Sequence, residues 1–233
     1  REYAPEAGRM GPVDMDARYE GRERPVSWRM YPEVTRFGYV SFDAVFRPDA
    51  NVCGYAETFV ESERAQALSL WVGGGGAVRV WWNGEVVHED GAYRVPHPDR
   101  AVTMVGAHRG LNRVLVKACA TDRTWGFYVR MGDPRGDAPS GLTVRATVDP
   151  AQVAQIQAGH GVSRLPRAPV APFAALTEAA EGDDASAQAL EDLARFLVRT
   201  RSDDPAEERA RQLAARAAEA EPTIERLTLA AAL

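Results

Sequence analysis

The sequence predicts a β-sandwich followed by a smaller all-α segment, and two observations support that prediction. Between residues 26 and 148, short runs alternate apolar and polar side chains with the period of a half-buried strand, separated by Gly, Pro and Asn turn chemistry. Beyond Phe173 the period lengthens to that of an amphipathic helix, which marks a second unit. Composition agrees, because 233 residues with 45% hydrophobic and 26% charged side chains match a soluble globular chain able to bury a core.

Residues 1–25 are polar, carry Gly8, Gly11, Gly21 and three prolines, and follow neither period. They are expected to form an irregular arm wrapping a domain edge, with Tyr19 as its tether. The sandwich is expected over 26–148, with strands at 26–31, 39–46, 54–61, 65–72, 78–87, 101–105, 112–120 and 125–131, and 142–148 available as a last one. Arg47-Pro48-Asp49, Gly73 to Gly76, Asn83-Gly84, Gly91, Pro96 to Pro98, Gly106 and Gly110 break these runs. Eight strands in about 105 residues is the content of a jelly roll, two antiparallel sheets packed across one core.

The organising stretch runs from Ala77 to Val87. Val78, Val80 and Trp82 share one face, Arg79, Trp81 and Asn83 the other, and Asn83-Gly84 is a hairpin signal requiring positive φ. The same alternation turns inward Leu68, Leu70 and Val72, then Val114, Val116 and Ala118, then Trp125, Phe127, Val129 and Met131. It leaves an outward stripe of Trp71, Arg79, Trp81, Tyr128 and Arg130. Arg79, Trp81, Tyr128 and Arg130 are therefore the candidate ligand-binding residues, since aromatic rings offer flat apolar area and Arg a fixed fork of donors. The competing and favoured expectation is that the arm, the helices or another domain covers those rings.

Residues 149–172 are rich in Pro and Ala, hold Gly159 and Gly161, and are expected to be a linker. In 173–233, Leu190, Leu193, Ala194 and Leu197 form one helical stripe. Asp204-Pro205 with Glu207 forms a cap for a helix running to about Ala220. Pro222 opens another with Ile224, Leu227 and Leu229. Paired Ala-rich helices resemble tetratricopeptide repeats, and so few units leave an apolar face exposed, so an incomplete array at the front of a longer polypeptide is expected.

Several function classes are excluded. A net charge of −5, with arginines interleaved among acids, argues against a nucleic-acid surface. No apolar run approaches the roughly 20 residues of a membrane span, and no charged-then-apolar leader opens the chain. The run Gly73 to Gly76 lacks the Lys-Ser or Lys-Thr and the helix of a P-loop, and reads as a flexible hairpin turn. Asp90, His97, Asp99 and His108 lie in loops without calcium-loop spacing, so no metal and no cofactor is expected. Glu57, Glu61, Glu85 and Glu89 read as solvent-facing strand residues, so no catalytic residue is assigned.

Gly54-Tyr-Ala-Glu-Thr58, Leu70-Trp-Val-Gly73, Val80-Trp-Trp-Asn-Gly84, Gly110-Leu-Asn-Arg-Val-Leu-Val-Lys117 and Trp125-Gly-Phe-Tyr-Val-Arg130, in this order, resemble the galactose-binding-domain-like jelly roll. It is the fold of the sugar-binding domain of family 2 glycoside hydrolases and of many carbohydrate-binding modules. The resemblance covers about residues 26–132, with Asn83-Gly84 at the turn after the central strand and Gly110 with Asn112 at the entry to the penultimate one. It implies that the strands bearing Cys53 and Cys119 run antiparallel in one sheet, so that their ends meet and a disulfide is within reach. Where a family 2 hydrolase continues into an immunoglobulin-like domain and a catalytic barrel, this chain continues into helices, which argues against glycosidase activity. A similar variant pairs such a sandwich with helical repeats, and sometimes a transglutaminase-like domain, in large exported bacterial proteins.

The expected function is a non-catalytic recognition or scaffold module of an exported bacterial protein, extracytoplasmic, with carbohydrate binding as its sharper form. Its expected partner is another protein, or the remainder of the chain, bound through the helices. The rival expectations are an accessory region of a larger transglutaminase-like or other hydrolase, and a structural subunit of an envelope assembly.

Overall fold

Alternation along the runs after residue 38 produces two antiparallel sheets facing each other across one apolar layer. The structure is a computed structural model describing residues 6, 11–31, 38–93, 96–121, 124–182, 184–199 and 204–233, without the side chains of residues 204 and 205. Its strands are β1 (Tyr39–Ser41), β2 (Val52–Ser62), β3 (Gln66–Gly74), β4 (Ala77–Trp82), β5 (Glu85–Asp90), β6 (Ala101–Ala107), β7 (Gly110–Ala120), β8 (Gly126–Gly132) and β9 (Leu142–Arg145). One sheet has the order β1-β8-β3-β6 and the other β5-β4-β7-β2-β9.

The inward residues predicted from alternation build the core. Leu68, Leu70, Val72, Val105 and Phe127 of the smaller sheet meet Val60, Val78, Val80, Trp82, Val114, Val116 and Ala118 of the larger, with Val129 and Met131 packed alongside. Both enclosed indoles are satisfied: Trp82 Nε1 donates to Gly106 O at 3.0 Å and Trp125 Nε1 to Ala118 O at 2.8 Å. At the tip of the β4–β5 hairpin, Asn83 and Gly84 take φ values of 48° and 83°, as the two-residue turn demands.

Asn83 does more than turn the chain. Its Nδ2 donates to Asn112 Oδ1 (2.9 Å) and Gly159 O (3.0 Å), while its Oδ1 accepts from Arg113 N (2.8 Å). Asn112 in turn donates to His108 O and Gly110 O at 2.9 and 3.1 Å. The tip of the β4–β5 hairpin and the β6–β7 connection, where the chain passes from one sheet to the other, are thus locked together beneath the surface.

Three predicted segments differ. Residues 26–31 form no strand, and only Val26 pairs, in an isolated bridge with Tyr19. Val26 and Met30 are exposed, so no buried face sets a register there. The bridge closes a local loop within the irregular stretch, and Arg22, Arg24 and Arg29 hold that stretch to the domain by donating to the carbonyls of Ala50, Arg47 and Val45. The run 39–46 leaves the sheet after Ser41, because Val45 N and Phe46 N close a turn on Phe42 O. That turn places the Phe42 and Phe46 rings 5.2 and 5.7 Å from Trp125.

The Gly73 to Gly76 run is not a flexible hairpin turn. It is the corner at which the chain crosses from one sheet to the other, since β3 pairs with β6 and β8 while β4 pairs with β5 and β7. Glycine is required for close approach: a Cβ on Gly73 would lie 1.8 Å from His97 O, and one on Gly76 1.8 Å from Cys119 O. Both obstacles are backbone atoms that no rotamer change can move. Gly76→Ala is therefore expected to cost at least the ~1–3 kcal/mol of ordinary overpacking, read as a lower urea midpoint at unchanged slope.

Residues 149–172 are less of a linker than expected. Asp149 caps a short helix α1 (Pro150–Val153), and Val153 and Ile156 bury against Phe59 on the outer face of β2. Gly159 N then donates to Asn83 O at 3.1 Å and Gly161 N to Gly106 O at 2.9 Å, strapping the segment across the sandwich.

The helices that follow are α2 (Pro172–Glu181), α3 (Ala187–Arg199), α4 (Asp204–Ala220) and α5 (Ile224–Ala232), each packed on the next. Leu190, Leu193, Ala194 and Leu197 bury against Ala210, Leu213, Ala214 and Ala217, where small side chains let α3 and α4 approach closely. The predicted cap at Asp204 and Pro205 lies outside the described side chains. The last helix opens at Thr223, whose hydroxyl accepts from Arg226 N at 3.3 Å, one residue beyond Pro222. The sandwich meets the helices where His97 and Arg100 face Phe196 and Phe173, at 4.9 and 5.3 Å. Among the described residues no helix is long and apolar enough to cross a membrane.

Candidate functional site

Among the described residues, buried charge gathers in two places: Glu191 with Arg226 among the helices, and the outer face of the larger sheet. Strand register puts Tyr55 of β2 opposite Lys117 of β7, Lys117 opposite Arg79 of β4, and Arg79 opposite Glu89 of β5, so four polar side chains form one row. Arg79 and Lys117 sit at positions whose neighbours along the strand, Val78 with Val80 and Val116 with Ala118, point into the core. Arg79 also pairs with Glu89, and this contact chiefly raises its guanidinium pKa.

A carboxylate from the N-terminal arm closes over this row. Glu6, only 2% exposed, accepts from Tyr55 Oη and Lys117 Nζ, each at 2.6 Å, through Oε1, and faces Arg79 at 3.4 Å through Oε2. Lys117 is the only lysine of the chain. Its ammonium lies 5.7 Å from the Tyr55 ring centre, and the Arg79 guanidinium 5.8 Å from that of Trp81.

Further along the sheet, Glu57 and Arg113, from successive outward rows, form a second pair, Nε to Oε1 at 2.5 Å, with both side chains almost fully buried. It is a close charge contact without the alignment of a good hydrogen bond. Burial pushes the Glu57 carboxyl above its usual range, and Arg113 opposes that shift. Arg113 also reaches the arm, donating from Nη1 to Gly11 O at 2.7 Å. At the far end of the face, Phe59 and Leu111 are covered by Val148, Val153 and Ile156.

The predicted stripe of Arg79, Trp81, Tyr128 and Arg130 does not exist as one surface. The Gly73 to Gly76 corner separates β4 from β8, so outward positions on the two strands point to opposite sides of the molecule. Trp81 is only 3% exposed, which fits a cover better than an open platform. On the smaller sheet Tyr128 lies 4.9 Å from Tyr39. Arg130 stacks 4.4 Å over Trp71 and grips Asp99 with two bonds of 2.6 and 2.7 Å.

The loop carboxylates and imidazoles also separate. Asp99 belongs to Arg130, Asp90 accepts from Ala92 N at 3.0 Å, and His97 lies on Phe196. Glu61 is held by Arg145 at 2.5 Å. Cys53 and Cys119 stand directly opposite in the β2–β7 ladder and are bonded, with Cα atoms 4.0 Å apart, so the pairing implied by the family resemblance is present.

Glu6, Arg113 and Lys117 went unread in the sequence as members of a site. Glu6 lies 111 residues from Lys117 in a stretch without periodicity, so no local pattern links them. Arg113 and Lys117 did carry a signal: they flank Leu115 on the outward face of a long central strand, and Lys117 is unique.

No protein-family model matches this chain, and no curated protein matches it. Among solved structures, the chain is similar to the crystal structure of a GH31 alpha-xylosidase from Xanthomonas citri, at 15% sequence identity and a TM-score of 0.38. The similarity covers 55% of this chain, which spans 14% of the length of that protein.

Proposed function

We propose that this chain is a recognition module without a reaction of its own, a galactose-binding-like sandwich bearing tetratricopeptide-like helices, and that its ligand is a protein segment. One observation supports this above all: of the sheet carboxylates Glu57, Glu61, Glu85 and Glu89, three are paired with arginines, Glu57 with Arg113, Glu61 with Arg145 and Glu89 with Arg79, while Glu85 lies 3.9 Å from His160. A general acid or base must exchange its proton with a substrate, whereas the three paired groups hold strands and arm together. On the helical side, Ile224 is 85% and Leu227 52% exposed, the kind of apolar surface that takes a partner protein. The disulfide supports an extracytoplasmic location, because such bonds persist in oxidising compartments.

Carbohydrate binding at Arg79, Trp81, Tyr128 and Arg130 is the weaker form of this proposal, since two of the four lie under the arm's side of the sandwich and two on the other. The test incubates the full chain with peptide and glycan arrays, and reads retention and product release together. Retention on peptides without cleavage is expected. Cleaved peptide or released sugar would contradict the proposal.

A further inference from the structure

We infer that the row Tyr55, Lys117 and Arg79 is a docking cradle for an acidic peptide segment, occupied in this structure by the chain's own arm. The inference deepens the recognition proposal by naming a site and a ligand chemistry.

The arm behaves as a bound ligand. Its Glu6 carboxylate receives two charge-assisted or short bonds at 2.6 Å from Lys117 and Tyr55, and a third contact at 3.4 Å from Arg79. These three donors come from adjacent strands of a rigid sheet, so the cradle exists whether or not the arm is in place. The second anchor is a main-chain group: Arg113 takes the carbonyl of Gly11 at 2.7 Å while Glu57 holds its guanidinium from the other side.

A carboxylate followed a few residues later by a peptide carbonyl is the signature of a peptide. An acidic sugar would satisfy only the first half. The aromatic faces that would stack on a sugar ring already lie against the cations, Tyr55 against Lys117 and Trp81 against Arg79. Charge complementarity therefore favours an acidic peptide. The arm, held to the sandwich just beyond it by Arg22 and Arg24, competes with it intramolecularly at an effective concentration on the order of millimolar.

The experiment titrates the full chain with a fluorescent peptide of residues 1–14, using sodium glucuronate as the acidic-sugar probe. Glu6→Gln removes the carboxylate charge seated in the cradle at constant shape, so the variant is expected to bind the peptide at least about tenfold more tightly than the unaltered chain. Adding Lys117→Gln to Glu6→Gln is expected to abolish that gain, and a peptide with Glu6→Gln is expected not to bind. If Glu6→Gln does not fold, the unaltered chain titrated with peptide to millimolar concentration reports the same exchange, and absence of binding there overturns the cradle.

Equal affinity of the Glu6→Gln chain and the unaltered one overturns it, as does glucuronate binding in place of peptide. Peptide binding indifferent to Lys117→Gln ends the cradle but leaves recognition standing. Peptide cleavage with intact Lys117 dependence does the reverse.

Discussion

Reducing the Cys53–Cys119 bond is expected to lower the free energy of unfolding by about 4 kcal/mol, the loop-closure entropy released when a cross-link spanning 66 residues is removed. The bond joins β2 and β7, neighbours near the middle of the larger sheet, at directly opposed residues. The closed loop contains β3, β4, β5 and β6, so the unfolded chain it restricts includes much of both sheets. Urea titration of the oxidised chain against Cys53→Ala with Cys119→Ala measures the difference. A reduction in midpoint is expected, together with a larger slope, because the uncrosslinked chain exposes more surface on unfolding. Equal midpoints and slopes would mean that the bond is absent in solution.

Arg113→Met is expected to cost about 3–5 kcal/mol at neutral pH, the penalty for leaving a buried carboxylate without its counter-charge. It also removes the anchor to Gly11. The loss should depend on pH in a definite sense. Burial already raises the folded-state pKa of Glu57 above its ordinary 4.5, and without Arg113 it rises further. The folded protein then binds that proton more tightly than the unfolded chain does. Its contribution to stability is fully present below the unfolded value and is lost as pH rises through the folded one. The variant should therefore recover towards the parent as pH falls from neutrality to about 4.5. Adding Glu57→Gln should restore much of the loss, because the uncompensated charge has gone. A penalty independent of pH, or no rescue by the double variant, would mean that Glu57 reaches solvent.

Local periodicity explains how much of this could be read in advance. Leu68, Val80, Trp82, Val116 and Phe127 were legible as core because side-chain alternation in a strand is set by backbone geometry alone. The same holds for Leu193 and Ala194 in their helix, and for the turn at Asn83 and Gly84, whose positive φ few other residue pairs tolerate. Alternation assigns a residue to a face, however, and never says which sheet the strand joins. Arg79 and Tyr128 consequently looked like neighbours although they face opposite ways.

Long-range polar contacts were the other blind spot. The Glu6 contact to Lys117 and the Asn83 bond to Asn112 join residues whose local contexts say nothing of one another. Gly73 and Gly76 misled for a related reason. Glycine marks both flexible turns and tight contacts, and only a neighbour such as His97 O distinguishes the two.

The arm closes the aromatic and cationic face of the larger sheet through Glu6. Lys117, as the chain's single lysine, makes that testable by the rate at which an amine-selective acetylating reagent modifies its side chain, followed by mass spectrometry. Slow modification of the native chain is expected, since the Lys117 side chain is 13% exposed and bound to Glu6, and faster modification after Glu6→Gln. Modification of native Lys117 at the rate of a free lysine, unchanged by Glu6→Gln, would contradict it.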